Sequence, residues 1–196
     1  MSWADRAKSC IGWDERDDEG LASLWEWLAP EKDELVDLLV EGVTQLDGVP
    51  RLLRNGRFTG RLHALVEEWL LGVLAPAYDD VERQERRRDL GRRLARIDVC
   101  FEEVMLLEAM AHGRLLALIS KNLDGGADQL SLMLGALQKA LSYDRGLVHA
   151  GYVEFRDSEM EQALLDRFLS ITGFSPSLYE GLAETWEQER GRGRRP

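Results

Sequence analysis

The chain is 196 residues and 22.3 kDa, of which 44% are hydrophobic and 31% charged, enough apolar material for one buried core or at most two small ones. That balance excludes a disordered chain. The net charge is −11, from 25 basic and 36 acidic residues, which excludes a general nucleic-acid binder because phosphate neutralisation needs Lys and Arg in excess.

Cys10 and Cys100 are the two cysteines, so neither a disulfide scaffold nor a cysteine zinc site is expected. No apolar run approaches the roughly 20 residues that span a bilayer. The start, Met1-Ser2-Trp3-Ala4-Asp5-Arg6, lacks the apolar stretch of a signal peptide. A cytoplasmic location without membrane contact is the expectation.

The hydrophobic period is helical nearly throughout. Asp17 and Asp18 predict a cap for a helix over 19–29 that buries Leu21, Leu24, Trp25 and Leu28. Pro30 opens a second helix with Asp33 and Glu34 in its first turn, where acids suit the helix dipole, and Gly48 ends it. Pro50 to Gly56 reads as a turn. Thr59 predicts the cap of a third helix, whose stripe is Leu62, Leu65, Val66, Trp69, Leu70 and Val73, and Pro76 ends it. A very polar stretch leads into one long helix through Leu90, Ile97, Phe101, Leu107 and Leu118. Asp124-Gly125-Gly126 marks a turn, and Asp128 starts another long helix reaching Phe155. Asp157-Ser158 predicts a new cap, and Ser175-Pro176 opens a short terminal helix. The fold class is all-α.

The charge is uneven. Residues 1–50 hold 13 acids and 4 bases, whereas 82–96 hold seven arginines against Glu82, Glu85 and Asp89. The arginine run reads as a solvated helix face laced with Glu–Arg pairs.

Five segments have a familiar order. They are Gly12-Trp13-Asp14-Glu15-Arg16-Asp17-Asp18-Glu19-Gly20-Leu21, Arg61 to Leu71, Pro76-Ala77-Tyr78-Asp79-Asp80, Leu90 to Val99, and Lys139 to Asp144 with Tyr152 beyond. Together they resemble the globin-coupled sensor domain, a relative of protoglobin. The resemblance implies a globin-like helical sandwich that pairs as a homodimer through its last two long helices. It implies haem held by a histidine, and an attached output domain.

The same resemblance marks departures in this chain. Counting back from Tyr78 puts the family's iron-binding histidine at Trp69, or at Glu68 with one insertion. A long-helix motif that often carries histidine has Leu94. The second helix, which often carries a Phe-Tyr pair, reads Leu39-Val40-Glu41-Gly42-Val43. The chain thus resembles the haem-free globin-like domains of stressosome scaffold proteins. It divides into a globin-like sensor domain over 1–155, a helical extension or linker over 156–189, and a disordered basic tail over 190–196. Thr172 to Glu180 looks like the linker before an output module.

Three histidines are present. His63 is the haem-ligand candidate by context, about 20° beyond Leu70 at the edge of its helix stripe at about 100° per residue. Glu108 and His112, four apart on an apolar helix face, form a candidate interface pair and pH switch. His149 reads as a helix-flank residue. No catalytic signature stands out, and the chain has no Glu-x-x-His unit for a di-metal centre. The expected function is a non-catalytic sensor or regulatory domain that signals through a helical dimer interface without haem. The alternatives are a haem-binding sensor of oxygen or another diatomic gas, and a scaffold bundle without a small ligand.

Overall fold

The computed structural model describes residues 3–45, 59–74, 81–122, 126–179, 181–182 and 185–186. Among them the helices are α1 (Trp3–Ile11), α2 (Glu15–Leu28), α3 (Lys32–Gln45), α4 (Thr59–Leu74), α5 (Val81–Arg96), α6 (Phe101–Asn122) and α7 (Ala127–Thr172). No described helix is long and apolar enough to cross a membrane. The expected features at Gly48, Pro50 to Gly56, Pro76, Asp124-Gly125 and the basic tail lie outside the described residues.

Four features differ from the sequence expectation. The first helix, α1, has no counterpart among the expected elements. It is held by aromatic contacts: Trp3 stacks on Tyr143 of α7 at 5.9 Å and covers Gly146, and Trp13 approaches the same Tyr143 ring at 6.2 Å. The second helix starts at Glu15, not Glu19. Asp14 is its N-cap, and Asp17 closes a reciprocal capping box by accepting from the Asp14 amide at 2.8 Å. Asp17 is also buried, and Lys139 donates to it at 2.8 Å and to the Gly12 carbonyl at 2.7 Å.

The expected helix through Leu90 and Leu118 is two helices. Asp98 takes φ 60° and ends α5, while the Val99 amide returns to the Leu94 carbonyl at 3.1 Å. Asp is one of the few side chains that tolerate this left-handed conformation. Conversely, Asp157-Ser158 starts no helix, because α7 runs through it. Nothing there forbids helical geometry, and Arg156 pairs with Glu159 across the point at 3.3 Å.

The core joins α2, α3, α4, α6 and α7 through side chains such as Leu24, Leu39, Leu70, Leu115, Leu137 and Leu147. Between α5 and α7 it is the backbones that touch. A Cβ on Gly91 would lie 2.0 Å from the Val148 carbonyl oxygen, and one on Gly151 would lie 1.9 Å from that of Arg88. Only glycine permits this crossing.

The chain forms two compact units, Met1–Phe155 and Arg156–Pro196. In the second, Gly173 ends α7 at φ 70°, and Phe168 meets Phe174 and Tyr179, each at 6.1 Å between ring centres. Ser175 caps the turn of helix over 176–179, accepting from the Leu178 amide.

Candidate functional site

The 3.6-residue period of α4 sets Leu62, Leu65, Val66 and Trp69 on one face. That face lines an apolar cavity of about 50 Å³. The opposite wall is Leu90 and Leu94 of α5, Val99 after it, and Glu103, Val104 and Leu107 of α6, with Val43 from α3. The turn at Asp98 interrupts this wall, with Leu90 and Leu94 before it and Glu103, Val104 and Leu107 after it.

Trp69 and Leu94, the two positions where the family resemblance expects histidine, both line this cavity. Val43, from the segment that lacks the aromatic pair, lines it too. Glu68, the other register for the ligand position, is exposed and accepts from Arg93 at 2.6 Å. That hydrogen bond holds the Arg93 pKa above the ordinary arginine value.

Trp69 is 7% exposed, and its indole N–H donates to Asp144 Oδ2 of α7 at 3.1 Å. The other Asp144 oxygen accepts from Arg87 of α5. The side chains of Arg87 and Asp144 are only 4% and 3% exposed. Arg87 Nη2 is buried with no acceptor among the described residues. Gly72 leaves the space for this guanidinium, since a Cβ there would lie 2.4 Å from Arg87 Nη1. One arginine of the supposedly solvated run is therefore a core residue. Its neighbours do make the expected surface pairs, such as Arg93 with Asp89 at 3.1 Å.

None of the chain's three histidines lines the cavity. His63 is half-buried, with Nε2 3.3 Å from Asp37 of α3. His149 packs on Phe101 at 4.6 Å. His112 is half-buried and separate from Glu108, with no hydrogen bond joining them among the described residues. Glu108 is instead gripped by Arg145 of α7, through Nε at 2.8 Å and Nη2 at 2.5 Å. The same carboxylate raises the Arg145 pKa.

Protein ligands to haem iron are His, Cys thiolate, Met or Tyr. No described residue lining the cavity is any of these. The described lining therefore does not fit haem, either in its donors or in its volume. Tyr78 lies outside the described residues. No group of three or more His, Cys, Asp and Glu suited to a metal ion occurs among the described residues.

Comparison with known proteins follows this geometry. The protoglobin family model matches residues 2–158. The globin domain of a Geobacter sulfurreducens globin-coupled sensor superposes with TM-score 0.70 at 18% identity, covering 78% of this chain and 99% of that one. The ferrous globin domain of E. coli DosC superposes with TM-score 0.62 at 18% identity, covering 74% and 96%. These two structures share the globin fold with the chain. No curated protein matches it.

Proposed function

The chain belongs to the protoglobin family, and from that premise we propose that it is a non-catalytic sensor or regulatory domain that works without haem. It passes a ligand or partner signal across a helical dimer interface. The observation that carries this reading is the paired replacement at the cavity. Both expected histidine positions, Trp69 and Leu94, hold apolar side chains that face the same small void. A globin core without a macrocycle has to be filled by side chains, because a large void is strongly destabilising.

The proposed dimer uses α6 and α7. Exposed Met105 and Leu106 on α6, and Val153 on α7, support it. An output module after the globin unit is the proposed partner, as it is for globin-coupled sensors in general.

The test is titration of the purified protein with hemin. No Soret band is expected at one equivalent. A band lost in His63→Ala would replace this reading with the rival one, a haem sensor of a diatomic gas. A band kept in His63→Ala would overturn it as well and place the ligand elsewhere.

A further inference from the structure

We propose that the cavity between α4 and the α5–α6 corner binds a small, uncharged, apolar molecule, up to a single ring when its wall relaxes. This deepens the haem-free reading of the same site and rests on it. The lining is hydrocarbon from α3, α4, α5 and α6, and Glu103 is the one charged side chain among its described residues. A charged ligand would lose its hydration there without gaining a partner network, and an anionic one would also meet the Glu103 carboxylate. A neutral apolar molecule has neither problem. It restores dispersion contacts that the lining lacks across the void.

Size narrows the class further. Apolar cavities stay dry, and one of about 150 Å³ accepts benzene or xenon. At about 50 Å³ this cavity is a third of that size, so a xenon-sized atom is the better match and a ring needs the wall to adjust. The means of adjustment is present. Leu65, Leu94, Val104 and Leu107 are half-buried, so their rotamers can turn outward, while Leu62, Val66 and Leu90 are buried and form a fixed floor. The occupant is sensed by Trp69, whose ring is in the wall and whose N–H reaches Asp144 on α7.

The test uses two probes, xenon and benzene, followed through the Leu and Val methyl resonances of the whole protein. Xenon is expected to shift methyls of Leu62, Val66, Leu94 and Val104, and to leave Leu24 and Leu147 unchanged. Leu94→Ala enlarges the void and should tighten benzene binding at least ten-fold. Leu94→Trp fills it and should abolish both responses, with Val104→Phe as the substitute if that variant does not fold. Shifts that are absent from both wild type and Leu94→Ala, or that persist in the filled variant, overturn the proposal. A Soret band with hemin would sink the haem-free reading on its own, whereas no band and no xenon response would sink only the apolar-ligand proposal.

Discussion

The indole N–H of Trp69 lies 3.1 Å from Asp144 Oδ2, so the wall of the cavity on α4 is hydrogen-bonded to the core of α7. Asp144 also accepts from Arg87, and these three residues tie α4, α5 and α7 at one buried point.

Asp144→Ala should therefore cost about 3–5 kcal/mol, because it strands a buried guanidinium. The paired change Arg87→Met with Asp144→Leu should cost far less than the sum of the two single changes. Trp69→Phe removes the N–H and shrinks a buried ring, and should cost about 1–3 kcal/mol. Urea unfolding of the variants measures all of these. Additive single and double values would show that the pair is not coupled.

Leu94→His restores an imidazole where the family motif often has one, in the cavity wall. The donor is then present but the volume still does not fit haem, so we expect no Soret band with hemin in this variant or in wild type. A band in the variant alone would show that the missing donor, and not the missing volume, keeps haem out.

Gly91→Ala and Gly151→Ala should each cost about 3 kcal/mol or more, because the new methyl meets backbone that cannot turn away. Gly135→Ala on α7 meets nothing within 4 Å and should stabilise by up to about 1 kcal/mol through helix propensity alone. Thermal melts of the three variants distinguish the sites, and a mild effect at Gly91 would contradict the close crossing.

On α6, His112 is close in angle to exposed Met105 and Ala109, at 100° per residue. Leu106→Glu should yield a monomer by analytical ultracentrifugation. With Glu108 committed to Arg145, the Glu108–His112 pair expected from the spacing is not made. A dimer that survives Leu106→Glu would move the interface off this face of α6.

Much of the helix order was readable because buried faces repeat at helical spacing, as with Leu62, Val66 and Trp69 on α4. The stripe of α4 put Leu62, Leu65, Val66 and Trp69 on one face, but which helices close over it was not legible. The buried ion pair did not follow. Seven arginines crowd 82–96, and charge pattern cannot single out Arg87 when its partner is 57 residues away. The turn at Asp98 was hidden because the residue in the left-handed conformation is not glycine. The opening helix α1 was missed although Trp3, Ala4, Ala7 and Ile11 recur at helical spacing; two of these are alanines, a weak apolar signal, and Trp3 rests on a distant helix at Tyr143. Glu108 and His112 share a stretch of helix, but spacing alone could not reveal that Arg145 claims the carboxylate.

The backbone contact at Gly91 and Gly151 also fixes α5 to α7 at one point along its length. It pins α5 one turn before Leu94, about 4.5 Å along the axis, whereas Val81 lies about 15 Å away on the other side. A rotation of α5 about that point moves its exposed N-terminal end roughly three times as far as it moves Leu94, by the ratio of those arms. The Arg87–Asp144 pair sits on the long arm and resists the swing. A rotation of α5 that began at Leu94 would have to break that pair before it reached the arginine-bearing first turns of the helix.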